Sequence, residues 1–142
     1  MTGKKPTDTA KKAPSAQKAA SARKPSSGDA LRLRVHLDAE AFLGPGKADL
    51  LEGIAETGSI AAGGRRLGMS YKRAWLLVET LNGYFAGPLV VAATGGKAGG
   101  GARLTPLGRE VLARYRAMLA ASEAACAKDF AALRKLRGRK SK

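Results

Sequence analysis

The run Ser70-Tyr71-Lys72-Arg73-Ala74-Trp75-Leu76 places a hydroxyl, a phenol, two cations, an indole and a branched aliphatic side chain on consecutive helix-compatible positions. Lys72 and Arg73 can donate to guanine edges or to phosphate oxygens, and Ser70 can meet a phosphate beside a helix N-terminus. Leu76 is either a contact for a thymine methyl or an ordinary exposed leucine. Trp75 is expected to pack at a core edge, as large aromatics usually do, with cover of a nucleic-acid backbone as the other reading. A second chemical feature is Lys97, inside the Gly-rich stretch Thr94–Gly101. It is not a phosphate-binding P-loop: Val91 stands where the first glycine would be needed, and Ala98 follows Lys97 instead of Ser or Thr.

Other chemistries are excluded by residue type. The chain has one histidine (His36) and one cysteine (Cys126), too few for a His/Cys zinc site or a disulfide framework. A serine triad would have to use His36, which falls on the polar face of an alternating strand-like run. Asp38, Glu40, Asp49, Glu52 and Glu56 are expected on helix surfaces and solvated turns, with no nucleophile–base pair nearby. No enzyme activity, cofactor or metal is expected.

The charge points to a polyanion. The 142 residues carry a net +15, concentrated at the ends: residues 1–29 hold +5 and residues 134–142 hold +6 with no acid. The first 29 residues have only Ala and Met as apolar types, so they are expected to be a disordered basic tail that adds non-specific DNA affinity. No apolar stretch approaches a membrane span and the N-terminus has no apolar signal region. A cytoplasmic, nucleoid-associated protein with no membrane partner is the expectation.

The elements that must position these residues follow from periodicity and turn residues. Leu31, Leu33, Val35 and Leu37 alternate with polar residues as in a half-buried strand. After Gly44-Pro45-Gly46 a helix is expected over about 46–57, with Leu50, Leu51, Ile54 and Ala55 inward and Gly58 as its stop. Ser59 caps a short helix over about 60–67, whose Ala61, Ala62, Gly63 and Gly64 permit close helix crossing and whose inner face is Ile60 and Leu67. Gly68-Met69-Ser70 makes a tight turn, and Ser70 caps a third helix reaching about Asn82. At about 100° per residue its buried side is Ala74, Val78 and Leu81, with Leu77 and Phe85 alongside, and its far side is Lys72, Leu76 and Glu79. Strands over 89–93 and 102–105 flank the Gly-rich loop. Thr105-Pro106 then starts a long helix to about residue 136. Along it Leu112, Tyr115, Leu119, Ser122, Cys126, Asp129, Leu133 and Leu136 keep the spacing of a coiled-coil seam, interrupted at Ser122 and Asp129.

This order is a mainly α fold with a small antiparallel β wing: a winged helix-turn-helix plus a long C-terminal helix. The expected organisation is a basic tail over 1–29, the DNA-binding domain over 30–105, a dimerisation helix over 106–136 and a basic tail over 137–142. The stretches Gly58-Ser59-Ile60, Gly68-Met69-Ser70-Tyr71-Lys72-Arg73-Ala74-Trp75, Leu81-Asn82 and Ala93 through Thr105 resemble the DNA-binding domain of the molybdate-responsive regulator (ModE) family. Helix-turn-helix domains of the LysR type are similar more distantly. The resemblance covers about residues 31–125. It implies a homodimer joined through the long helix on inverted-repeat operators, and DNA contacts from Ser70, Tyr71, Lys72, Arg73 and Lys97. Two departures stand out. The family's short helix usually carries Ala where this chain has Gly63 and Gly64, an expected cost of about 1 kcal/mol per glycine. The chain also ends at Lys142 without the family's molybdate-binding module, so molybdate sensing is not expected.

The expected function is therefore a DNA-binding transcriptional regulator, a homodimer on double-stranded DNA. Its candidate contacts are Ser59, Ser70, Tyr71, Lys72, Arg73, Trp75, Leu76, Lys97 and Arg103. The alternatives are an architectural nucleoid protein with little sequence preference and a module signalled by a separate ligand-binding protein. Cys126, on the seam, is expected to be a small buried thiol, with a cross-dimer disulfide as the other reading.

Overall fold

The computed structural model describes residues 31–93 and 101–138. The N-terminal tail, the loop tip with Lys97, and Arg139, Lys140 and Lys142 lie outside the described residues. Within them the chain runs β1 (Val35–His36), β2 (Phe42–Leu43), α1 (Pro45–Thr57), α2 (Ile60–Arg66), α3 (Tyr71–Tyr84), β3 (Val90–Ala93), β4 (Gly101–Leu104) and α4 (Pro106–Arg137). The strands form two separate antiparallel hairpins, β1–β2 and β3–β4. This is a mainly α winged-helix arrangement.

The first hairpin departs from the expected strand over 31–37. Leu31, Leu33 and Val35 are half-buried in alternation, but Leu37 is 48% exposed because the chain turns back there. The Asp38 carboxylate accepts the backbone N–H groups of Ala41 and Glu40, each at 2.9 Å, which closes the turn. These two hydrogen bonds, that from Ala41 first, hold the Asp38 carboxyl below its usual range. The turn creates β2, which pairs His36 with Phe42 and Val35 with Leu43. His36 stays exposed, stacked on the Phe42 ring at 5.5 Å.

The core draws on β2, through Leu43, and on every later element except α2, whose Ile60 only packs against it. Leu50, Leu51 and Ile54 come from α1, and Ala74, Val78 and Leu81 from α3. Leu89 precedes β3 and Val90 opens it, Ala102 and Leu104 come from β4, and Val111, Leu112 and Tyr115 from α4. Ala55 is exposed, one residue beyond the inward stripe of α1. Three of the four described helix starts are capped by side chains: Ser59, Ser70 and Thr105 accept from the N–H groups of Ala62, Arg73 and Gly108 at 3.0, 3.1 and 2.9 Å.

Gly63 and Gly64 are contact points, not a defect in α2. A Cβ on Gly63 would stand 3.0 Å from Ile54 N and 3.1 Å from Gly53 C, and one on Gly64 would stand 2.7 Å from Ala74 Cβ. The lost helix propensity is therefore offset by the close approach of α1, α2 and α3 that the missing side chains allow.

Helix α4 has two environments. Val111, Leu112 and Tyr115 are buried and Leu119 packs against the core, so its first turns belong to the globular body. Beyond them Cys126 is exposed, as are Leu133 (63%) and Leu136 (79%). Within the single chain nothing covers the Cys126 thiol, because this stretch of helix has left the globular body.

Tyr115 makes the joint between α4 and the N-terminal segment, donating its hydroxyl to the Leu33 carbonyl at 2.7 Å. Burial raises its phenol pKa above the ordinary 10.0, against the opposing charge of Arg116. The raised folded value means that its contribution is complete below about pH 10, where the unfolded phenol is also protonated, and is lost as pH rises through the folded value. Urea midpoints are expected to fall above pH 10, and Tyr115→Phe to flatten that decline. Equal slopes in both proteins would assign the alkaline loss to other groups.

Candidate nucleic-acid interface

The turn between α2 and α3 is fixed by backbone hydrogen bonds. Leu67 N and Met69 N both donate to Gly64 O, at 2.9 and 3.0 Å, and Gly68 N donates to Arg65 O at 3.0 Å. Gly68 takes φ 76°, a left-handed conformation that glycine adopts without a Cβ penalty. Ser70 follows as the cap, so α3 begins with its first-turn side chains directed away from the body.

The burial of Ala74 (0%), Val78 (3%) and Leu81 (0%) fixes the rotation of α3. Its other side then has to face out. Tyr71 (58%), Leu76 (48%) and Trp75 (41%) are exposed, as are Ser70, Lys72, Arg73, Glu79 and Thr80. The expectation that Trp75 packs at the core edge does not hold. It lies one position beyond Ala74, about 100° around the helix, past the reach of the core. Ser70, Lys72, Arg73, Leu76, Leu77 and Thr80 line a shallow depression of about 260 Å³. The surface of α3 therefore combines two cations, hydroxyls and unburied aromatic and aliphatic groups on one side of one helix.

Two clamps hold the β3–β4 hairpin to this helix pair. The Asn82 side chain accepts from Leu89 N (2.8 Å) and Val90 N (3.0 Å) and donates to Val90 O (3.1 Å), joining the end of α3 to the start of β3. Gly58 ends α1 in a left-handed conformation (φ 77°), and its carbonyl accepts from Ala102 N at 2.9 Å. That bond brings the segments carrying Ser59 and Arg103 side by side. Arg103 is exposed on β4, opposite Val91. Ser59 is only half-exposed and its oxygen is engaged in capping α2. Lys97 lies outside the described residues.

Several residues that shape this surface have no periodic signature. Arg65 is exposed at the end of α2, and Arg66 beside it pairs with Glu56 at 2.8 Å. Adjacent cations closing a short helix were the available signal. The carboxylates of α1 are not simply solvated: Glu52 is 8% exposed, and Arg116 of α4 donates to Glu52 and to Asp49, the latter at 2.9 Å. Lys47, also 8% exposed, donates to the Tyr84 hydroxyl at 2.8 Å and lies 3.4 Å from the Phe42 ring centre. These pairs tie α1 to α4, α3 and the first hairpin, and so set the frame on which α3 is displayed. Among the described residues no group of three His, Cys, Asp or Glu side chains is placed to hold a metal. No described helix is long and apolar enough to cross a membrane.

No protein-family profile matches the chain. Individual proteins do. It is 50% identical over 78 residues to the molybdenum-pterin-binding protein MopB of Rhodobacter capsulatus, covering 55% of this chain and 29% of that protein. It is 48% identical over 86 residues to the molybdenum transport protein ModE of Herbaspirillum seropedicae, covering 61% and 30%. It is 41% identical over 83 residues to the DNA-binding transcriptional dual regulator ModE of Escherichia coli K12, covering 58% and 32%. The chain thus spans about a third of the length of these relatives, and within that third it is similar in sequence to the ModE and MopB proteins.

Proposed function

We propose that the chain is a transcription regulator that binds double-stranded DNA by laying α3 in the major groove. The observation that carries this reading is the exposed side of α3, where Lys72 and Arg73 share the first turn with Tyr71 and are followed by Trp75 and Leu76. Similarity to proteins named as DNA-binding regulators supports it. In this reading Lys72 and Arg73 donate to guanine O6 and N7 or to phosphates, and Leu76 meets a thymine methyl. Ser70 and Tyr71 meet the backbone at the helix start, where the dipole favours an anion. Trp75 covers the sugar–phosphate edge. The hairpin brings Arg103 to the flanking groove, Ser59 contacts the backbone beside it, and Lys97 supplies a further cation to the DNA.

The same reading makes the protein a homodimer. From Leu119 onward the seam of α4 continues past the core through Ser122, Cys126, Asp129, Leu133 and Leu136. A second copy laid along this stripe covers it, and two-fold symmetry then calls for an inverted-repeat operator. Residues 30–105 form the DNA-reading unit, 106–136 the dimer helix, and 1–29 and 137–142 basic extensions.

The test is selection of sheared genomic DNA by the purified chain at about physiological salt, followed by sequencing. The expected result is a shared inverted repeat with half-sites about one helical turn apart. Featureless enrichment overturns site-specific regulation in favour of an architectural role. On the selected site, Lys72→Ala is expected to cost about 1–3 kcal/mol, and clearly less on random duplex. Equal losses on both would make Lys72 a phosphate contact only.

A further inference from the structure

The far end of α4 carries a charge pattern that the α3 surface does not use. Helix α4 has 32 residues, or about 48 Å of length. The segment from Leu119 to Leu136 rises roughly 25 Å beyond the last turn packed on the body. Arg134, Lys135 and Arg137 are exposed in its final turn. Among the described residues none of the three is in an ion pair. Asp129 is the last acid in the chain, and the sequence continues with Arg139, Lys140 and Lys142. By contrast α3 carries Lys72 and Arg73 against Glu79, a net of +1. The stronger positive field is therefore not on α3.

We infer that the C-terminal turn of α4 is a second polyanion site, one that grips DNA phosphates at a distance from α3 and without reading sequence. The inference rests on the DNA-binding reading proposed above and extends it. A cation or two in a last helical turn is accounted for by the helix dipole, but that effect fades within one turn, whereas the positive run continues past Gly138. The arrangement favours a phosphate backbone over an anionic membrane. A helix lying on a lipid surface separates an apolar side from a charged side. Here Arg137 stands seven residues after Phe130 and four after Leu133, on the same side as both, while Lys135 projects away from them. The Arg134 guanidinium lies 5.2 Å from the Phe130 ring centre, so cations surround the apolar groups instead of facing them. Such a spread leaves the cations at the end of the seam, where they meet a phosphate backbone without the apolar groups having to leave the dimer contact.

The test compares the full chain with a variant carrying Arg134→Gln, Lys135→Gln and Arg137→Gln, titrated with random-sequence duplex across a range of salt. Three phosphate contacts correspond to a slope of log affinity on log salt that is shallower by about 2.7 in the variant. Helical circular dichroism is expected to be unchanged, and a variant with Arg134→Lys and Arg137→Lys is expected to keep the wild-type slope, since a point charge suffices for a phosphate. If the wild-type chain binds duplex and the Gln variant has the same slope, this site is overturned while the α3 reading stands. If the wild-type chain binds no duplex, both are overturned. Capture of phosphatidylserine vesicles by the wild-type chain and not by the Gln variant, with an unchanged DNA slope, would overturn the site in favour of a membrane surface.

Discussion

Replacing Gly108 by Ala is expected to destabilise the protein by at least about 3 kcal/mol, the upper end of the overpacking range. Gly108 lies in the first turn of α4, where its N–H donates to the Thr105 side chain at 2.9 Å. A Cβ built there would fall 2.2 Å from Leu89 O and 3.0 Å from Leu89 C. The obstacle is backbone, and it cannot rotate away. Leu89 O already accepts from Thr105 N at 2.9 Å, and Thr105 Oγ1 donates to Pro88 O at 2.8 Å. Moving the carbonyl would therefore break the seam that holds α4 against the start of β3, together with the buried Leu89 (0% exposed). The control is Gly83→Ala, in the exposed last turn of α3, where an added Cβ meets nothing within 4 Å. That change is expected to stabilise by up to about 1 kcal/mol through helix propensity. Urea unfolding of both variants decides the matter. A Gly108→Ala protein with wild-type stability would mean that α4 does not rest on Leu89.

Arg116→Ala is expected to cost about 3 kcal/mol, at the low end of the range for breaking a buried ion pair because the cluster is not fully enclosed. Arg116 donates through Nε to Glu52 at 2.9 Å and through a terminal nitrogen to both Glu52 and Asp49. The side chains of Arg116 and Asp49 are 18% and 17% exposed, and Glu52 is 11%. Removing the guanidinium leaves two neighbouring carboxylates without a counter-charge in a site poorly reached by water. Burial pushes the Arg116 pKa down, but the hydrogen bonds to Asp49 and Glu52 together with their negative charges raise it overall, so the residue stays cationic throughout. Replacing the triad together, with Arg116→Met, Asp49→Ala and Glu52→Leu, is expected to recover most of the loss, because the charges and their burial penalty go at once. Arg114→Ala is the exposed comparison. Its pair with Glu110, at 3.0 Å, has side chains 76% and 58% exposed, and its loss is expected to cost no more than about 0.5 kcal/mol. Equal, small effects for Arg114 and Arg116 would show that the cluster is solvated.

Much of the local structure was legible because its causes are local. Ser59, Ser70 and Thr105 cap helices with side chains that reach only three residues along the chain. Gly58 and Gly68 take left-handed backbone at φ 77° and 76° beside those caps. The inward face of α3 followed from 3.6-residue periodicity, because a helix cannot bury Ala74, Val78 and Leu81 without turning Lys72 and Leu76 outward. The same periodicity explains why the eight-position stripe of α4 was visible, but not where its partner changes. Spacing does not record that Leu112 and Tyr115 meet this chain's own core while Leu133 and Leu136 extend past it.

What the sequence by itself determined is the order of elements, their caps and turns, the outward set on α3, and the concentration of positive charge at both ends. Only the tertiary structure decided which glycines are contacts, which charges are paired, and how the hairpin is held to α3. Gly108 meets Leu89, Asn82 meets Leu89 and Val90, and Arg116 meets Asp49 and Glu52 across 64 or more residues of chain in the last case. Such pairs arise when separate surfaces close on one another. A hydrophobic period states which side of a helix is buried, but the identity of the group on the other side exists only once the elements have packed.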